Sequence, residues 1–270
     1  FPIENLYDKL FLGKFIKKNK INFLTCVPSS IEVMYNGNSL NHGNLKTLKH
    51  IFFCGETLLK SQLKKLFDCK LKSKITNTYG PTETTVSCTF INITKKNFLK
   101  ITENETSIGK PIENMKILLI KKGKINQRDG EIFIKGPQVG MGYINSKSQK
   151  SFDHKKNTYR TGDLGKIING NLYFNGRIDN QIKINGFRVE LLEIEKCTKK
   201  NFKVNDCKAI FSKNKIKLYI QNPNKISINK IKNKFNEILP SYMIPSNIYF
   251  LKKLPINENG KIDLKKLNYI

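Results

Sequence analysis

Apolar residues recur at helical spacing over residues 4–18, where Leu6, Leu10, Phe11, Phe15 and Ile16 share one face, and then crowd together from Ile21 to Val27. The first pattern predicts an amphipathic helix and the second a buried strand. Pro28-Ser29-Ser30 opens a second helix, and Ile51-Phe52-Phe53-Cys54 forms another apolar run that stops at Gly55-Glu56. A helical stretch carrying Leu59, Leu63 and Leu66 then leads into a strand at Ile75 to Tyr79. Alternation of strand and helix implies a parallel sheet covered by helices.

From about residue 86 the pattern shortens to strands at Val86 to Ile93, Met115 to Lys121, Glu131 to Lys135, Lys166 to Ile168 and Asn171 to Phe174. Asn169-Gly170 between the last two predicts a hairpin, because both residues tolerate the positive φ of a type I′ turn. Beyond Asp179 the chain predicts a strand at Ile182 to Ile184, a helix from Glu190, strands around Ala209 and Leu218, a helix near Ile231 and a strand at Ile248. The expected class is therefore α/β, with the end of a helix-covered sheet over residues 1–85, a β-rich subdomain over 86–178 and a small α+β lobe over 179–270.

Composition narrows the functions this chain can have. Its 270 residues are enough to bury a proper core, and no run of about 18 apolar residues predicts a membrane span. The chain starts at Phe1 without a basic-then-apolar leader, so no secretory signal is read in it. Six cysteines are spread without a Cys-x-x-Cys pair, which argues against zinc and against a disulfide scaffold and favours a reducing cytoplasm. His42, His50 and His154 lie apart in polar surroundings and receive no chemistry.

Net charge is +28, from 49 Lys and Arg against 21 Asp and Glu, a field that attracts phosphate, anionic lipid or an acidic protein. The lysines come as singles and pairs in every segment, with no long basic run and no aromatic-rich strand pair of the kind that stacks bases. Specific nucleic-acid binding is not expected.

The chemistry concentrates in Asn77-Thr78-Tyr79-Gly80-Pro81-Thr82-Glu83-Thr84-Thr85, which sets an amide, a ring, hydroxyls and a carboxylate at the carboxyl end of a strand. Ligand sites in open α/β sheets gather at such ends. Tyr159-Arg160-Thr161-Gly162-Asp163-Leu164 reads as a tight turn carrying an acid that can accept hydrogen bonds from ribose hydroxyls. Gly176-Arg177-Ile178-Asp179 stands where the lobe begins, and Gly176 and Asp179 suit a hinge. Lys261 follows an Asn-Gly turn near the end of the chain.

Taken in this order, these segments resemble the adenylate-forming (AMP-binding) superfamily from about residue 20 onward. The resemblance implies that Asn77, Thr78, Tyr79, Gly80, Pro81 and Thr82 hold ATP, with Tyr79 on the adenine, Thr82 near the phosphates and Glu83 on Mg2+. It likewise implies ribose binding by Asp163, ribose or phosphate contact by Arg177 beside Phe174, Asn175 and Gly176, a pivot at Asp179, and a role for Lys261 in adenylation. Gly130-Glu131 to Gly136, with Val139, Gly142 and Tyr143, matches a further motif read as structural.

Within the superfamily the chain is most similar to D-alanine:carrier protein ligases, through Phe52-Phe53-Cys54-Gly55-Glu56, Phe174-Asn175-Gly176-Arg177 and Leu239-Pro240-Ser241-Tyr242-Met243-Ile244-Pro245. That likeness implies activation of D-alanine with ATP and Mg2+, transfer to the phosphopantetheine thiol of a carrier protein, and a pocket walled by Cys54, Gly55 and Val86. Packing at a strand end accounts for Cys54 equally well. Peptide-synthetase adenylation domains are the next reading, then acyl-CoA ligases, and a binding module without catalysis is the competing class. The family's Ser/Thr/Gly-rich phosphate loop and its amino-group aspartate have no counterpart in these residues, so the chain reads as the C-terminal portion of a longer enzyme, feeble by itself.

Overall fold

The computed structural model describes residues 11–144, 149–179, 181–184, 186–212, 215–221, 226–258 and 262–270. It divides the chain into two compact units, Phe1–Asp179 and Asn180–Ile270. Among the described residues no helix is long and apolar enough to cross a membrane.

The predicted alternation appears at the start of the first unit. Helix α1 (Phe11–Lys18) precedes strand β1 (Phe23–Cys26), helix α2 (Ser29–Asn36) and the short α3 (His42–Leu45) precede β2 (His50–Phe53), and α4 (Lys60–Asp68) precedes β3 (Lys74–Tyr79). Residues 4–10 of the first predicted helix lie outside the described residues. β1, β2 and β3 pair in parallel, with Leu24 beside Ile51 and Ile51 beside Ile75. Those residues face one way and pack with Ile16, Ile31, Met34, Leu63 and Leu66 of the helices in a single apolar cluster. Ridding this much side-chain surface of water, at about 25 cal/mol per Å², dominates the stabilisation of the layer.

Two side chains tie the ends of these strands together. Gln62 accepts a hydrogen bond from the Leu59 amide at 2.9 Å, satisfying the start of α4, and its own amide reaches the Pro28 carbonyl at 3.2 Å at the start of α2. Glu56 accepts from the Ser29 amide at 2.9 Å.

Strand β4 (Thr89–Ile93) starts later than the predicted Val86 and lies antiparallel on β3, so the first sheet runs on through β5 (Lys110–Pro111) in the order β1-β2-β3-β4-β5. Val86 cannot belong to the strand, because it and Thr85 adopt left-handed backbone, at φ 69° and 58°. The second sheet contains β6 (Lys116–Lys121), β7 (Lys124–Ile125), β8 (Asp129–Lys135), β9 (Phe152–Asp153), β10 (Thr158–Ile168) and β11 (Asn171–Arg177), in the order β11-β10-β8-β6-β7 with β9 on β10. Asn169 and Gly170, at φ 49° and 74°, make the expected hairpin between β10 and β11.

Asp163 lies within the 11-residue β10 and not in a tight turn. The strand accommodates the Thr-Gly-Asp sequence as irregularities in its ladders, with register shifts between Arg160 and Leu164 on one side and Asp163 and Gly165 on the other. Gly176 likewise sits inside β11 and not at the boundary between the units.

The second unit contains a hairpin of β12 (Gln181–Ile184) and β13 (Phe187–Glu190), then α5 (Leu191–Asn201), β14 (Asp206–Ser212), β15 (Lys215–Gln221), α6 (Ile228–Ile238), β16 (Asn247–Leu251) and α7 (Leu264–Asn268). β14 and β15 are antiparallel, β15 and β16 parallel, and Val189, Ile194, Leu218, Ile231 and Phe235 fill the core against them.

Candidate functional site

In the first unit, the carboxyl end of β3 meets the middle of β10, which is linked in turn to the end of β11. Tyr79 closes β3 with its ring 6% exposed, and its hydroxyl donates to Asp163 Oδ2 at 2.6 Å. The other oxygen of Asp163 accepts from Arg177 Nη1. Arg177 then grips Asp179 with two donors, Nε to Oδ1 at 2.7 Å and Nη2 to Oδ2 at 2.8 Å, and Nη2 also reaches the Thr161 carbonyl at 3.1 Å. With side chains 3% and 11% exposed, Asp163 and Arg177 form a buried ion pair.

Burial pushes the Tyr79 phenol well above its ordinary range, and the adjacent Asp163 carboxylate pushes it the same way. Tyr79 therefore stays protonated and serves as a donor. For Arg177 burial works against the charge, but the pairs with Asp179 and Asp163 outweigh it and the net shift is upward. Gly162 makes this geometry possible. At φ +72° it occupies left-handed backbone, and a Cβ there would come within 2.8 Å of Arg177 Nη2.

Glu131, read in the sequence as part of a structural motif, and Thr161, read there within a turn, hold the strand in this shape. Glu131 accepts from Arg160 Nη2 at 2.9 Å and from the Gly162 amide at 3.3 Å, and the Thr161 hydroxyl donates to the Ile132 carbonyl at 2.7 Å. A Gly-Glu pair opening a strand carries no sign in sequence of the residue it will meet some thirty positions later.

After β3 the chain turns through Gly80 and Pro81 into a short 3-10 helix, Thr82–Thr84. Gly80 is pressed so closely that a Cβ would lie 2.7 Å from the Val86 carbonyl. Glu83, half-buried in this turn, accepts a hydrogen bond from the Tyr143 hydroxyl at 2.5 Å, and its backbone carbonyl accepts from the Gly140 amide at 2.8 Å. Thr82 is exposed.

The predicted pocket residues Cys54, Gly55 and Val86 come together at the ends of β2 and β3. Cys54 Sγ lies 3.7 Å from the Val86 carbonyl and 3.8 Å from Ser87 Oγ, which in turn approaches Thr78 Oγ1 at 3.2 Å, and Thr78 donates to the Phe53 carbonyl at 2.9 Å. Val86 meets Cys54 through its backbone, since its own side chain is turned outward and 58% exposed. Gly55 takes φ +91° beside Val27. Phe174 packs half-buried with Tyr79 and Cys88, Asn175 is exposed, and the Cys88 thiol, buried under the Tyr79 carbonyl, is pushed up to about 11. Lys261 lies outside the described residues.

Asn77 is 2% exposed and its side-chain nitrogen donates to the Ser107 carbonyl at 2.9 Å. Its Oδ1 is buried without a partner among the described residues, an acceptor suited to an amino group of a ligand. For a cation, no group of three or more His, Cys, Asp or Glu side chains gathers among the described residues. One carboxylate at Glu83 fits Mg2+, which takes one or two protein carboxylates and completes its octahedron with phosphate oxygens and water.

A family model described as AMP-binding enzyme matches residues 1–144. The chain belongs to the AMP-binding enzyme family. Its AMP-binding relatives include a D-alanine--D-alanyl carrier protein ligase of Bacillus cytotoxicus, 36% identical over 93% of this chain and 53% of the relative, and one of Bacillus cereus strain AH187 at 34% over the same shares. The chain thus spans about half the length of these curated relatives. Among solved structures, the Vibrio cholerae adenylation domain AlmE in complex with glycyl-adenosine-5'-phosphate superposes with a TM-score of 0.84 at 24% identity, covering 99% of this chain and 52% of AlmE. The amide bond synthetase McbA of Marinactinospora thermotolerans gives 0.81 at 16%, covering 96% and 53%. At these identities the structures establish the AMP-binding fold alone.

Proposed function

We propose that this chain contributes the nucleotide-handling part of an adenylate-forming ligase that activates D-alanine and passes it to the phosphopantetheine thiol of a carrier protein. The observation that supports it most is the buried Tyr79–Asp163–Arg177 network, with Asp179 on its outer side. A carboxylate fixed between a phenol and a guanidinium presents its lone pairs in one geometry, which suits the paired hydroxyls of a ribose. A guanidinium held charged beside it suits ribose or phosphate oxygens.

In the reaction a substrate carboxylate oxygen attacks the α-phosphorus of ATP, the new P–O bond forms as the bond to pyrophosphate breaks, and a thiolate then displaces AMP from the acyl carbon. Negative charge on the transferring phosphoryl group peaks between reactants and products. Cations aimed at that position stabilise it more than they stabilise the substrates. Arg177 is one such cation, and we assign Lys261 as the second, since a lysine with an ordinary pKa of about 10.4 is charged at neutral pH. Glu83 would hold Mg2+, whose chemistry here is neutralisation of phosphate charge. Asp179, the last residue of the first unit, is the pivot in this reading.

Two features favour a small amino acid: the similarity to ligases named for D-alanine, and the crowding of Cys54, Ser87 and the Val86 carbonyl at the strand ends. ATP–pyrophosphate exchange by the full polypeptide that contains this chain tests it, with D-alanine expected to outpace L-alanine and glycine. No exchange with any amino acid, together with turnover of a fatty or aromatic acid and CoA, would replace this reading with that of an acyl-CoA ligase. Lys261→Ala is expected to abolish exchange while the fold persists; indifference would point to a binding module.

A further inference from the structure

We propose that Tyr143 is the positioning residue that sets the Glu83 carboxylate for a nucleotide-bound divalent cation, an inference that rests on the reading of Glu83 given above. A glutamate in a three-residue turn has side-chain torsions to spare, and a carboxylate that samples rotamers binds a cation weakly, because binding then carries the cost of ordering it. Here the Tyr143 hydroxyl donates to Glu83 Oε1 at 2.5 Å, a charge-assisted bond at the short end of the range.

The tyrosine is itself braced from several sides. Gln149 accepts from the Tyr143 amide at 2.9 Å and donates to its carbonyl at 2.8 Å, so one side chain holds both backbone polar groups of that residue. The ring meets Phe152 edge-on at 5.3 Å, and the hydroxyl lies 3.4 Å from that of Tyr159, itself 2% exposed. The segment carrying it is also fastened directly to the acid's turn, through Gly140 to the Glu83 carbonyl and through the Thr85 hydroxyl to the Gln138 carbonyl at 3.1 Å. Burial raises the Tyr159 phenol above its ordinary value, and its hydrogen bond with Tyr143 raises it further. The Gly142-Tyr143 pair, read in the sequence as structural, thereby acquires a place in metal binding.

The arrangement matches the general behaviour of partners behind a metal ligand, whose loss weakens metal affinity about 10- to 100-fold. The test uses the full chain with Mn2+ as the probe, its binding in the presence of ATP followed by electron paramagnetic resonance, and ATP binding in EDTA measured separately by calorimetry. Tyr143→Phe keeps the ring and its packing, and is expected to weaken Mn2+ binding about 10-fold while leaving metal-free ATP affinity and the melting temperature unchanged. Glu83→Gln is the reference and should weaken it more. If Glu83→Gln has its effect and Tyr143→Phe has none, or if Tyr143→Phe weakens ATP binding equally without metal, the inference fails and the functional reading stands. If neither variant changes Mn2+ binding, the assignment of Glu83 fails and takes the inference with it. Should Tyr143→Phe not fold, Gln149→Ala carries the test: the same loss in milder form is expected, and unchanged Mn2+ binding overturns the inference.

Discussion

Asp163 stands in the longest strand of the second sheet with its side chain 3% exposed, whereas Glu83 occupies a three-residue turn and is half-buried. The first is enclosed by charge and hydrogen bond on both oxygens, from Tyr79 and Arg177. The second is steadied by a tyrosine that is itself 44% exposed. Burial makes an acid costly to leave unpaired, so Asp163 is bound up with the stability of the fold in a way that Glu83 is not. On the proposed reading the two acids should therefore respond differently to damage, one through stability and the other through ligand binding alone.

The sharpest break in that contrast comes from Arg177→Ala. It would leave Asp163 charged, buried and supported by Tyr79 alone, and removal of one partner of a buried pair costs about 3 to 5 kcal/mol. Urea unfolding should show a loss near the lower end, about 3 kcal/mol, because Asp179 is exposed and regains water once its partner is gone. A loss no larger than that of an ordinary surface substitution would mean that Asp163 is hydrated in solution, and the contrast with Glu83 would disappear.

Tyr79→Phe probes the opposite side of the same carboxylate. A hydrogen bond to a charged group contributes about 1.5 to 3 kcal/mol, so a loss of about 2 kcal/mol is expected. The pH dependence sharpens it. The folded phenol is raised above its ordinary value of 10.0, so the folded state favours the protonated form more than the unfolded state does. Its contribution is complete below about pH 10 and is lost as pH rises beyond that value, where the unfolded chain releases the proton first. Unfolding followed from neutral to alkaline pH should show a steeper decline for the parent chain than for Tyr79→Phe.

The same contrast explains what the sequence disclosed. The alternating strands and helices up to Tyr79 were legible because the strands are short segments carrying apolar residues and the helices between them show an apolar face, signals local to a dozen residues. The motif Asn77 to Glu83 was read as chemistry for a related reason: its polar groups crowd into one short stretch at the end of β3. Asp163 was visible as an acid but misplaced in a turn, because Thr161-Gly162-Asp163 has turn composition and only pairing with β8 and β11 turns it into an irregular strand. Val86 was read as the start of a strand, and the left-handed backbone of Thr85 and Val86 after the turn delays the strand to Thr89. Tyr143 and Glu131 were read only as members of a structural motif, since the partners they meet lie far along the chain. Contacts of that range belong to the tertiary fold, and a single sequence carries no trace of them.

The smallest effect expected on stability is the one that defines the other half of the comparison. Glu83→Gln keeps a carbonyl oxygen to accept from Tyr143 and leaves the Gly140 bond to the backbone carbonyl untouched. The residue is half-buried in a turn, less enclosed than Asp163 with its side chain 3% exposed. A substitution of that kind falls within about 0.5 kcal/mol, so the urea midpoint should hardly move. Repeating the measurement with saturating Mg2+ and ATP separates the two halves of the argument. The parent chain should gain stability, because a ligand that binds only the folded state at 100 times its dissociation constant adds about 2.7 kcal/mol, and Glu83→Gln should lose the metal-dependent part of that gain. Were Glu83→Gln to destabilise the unliganded chain as much as Arg177→Ala does, Glu83 would be a structural acid like Asp163. The turn after β3 would then owe its shape to the carboxylate, and not the carboxylate its position to the turn.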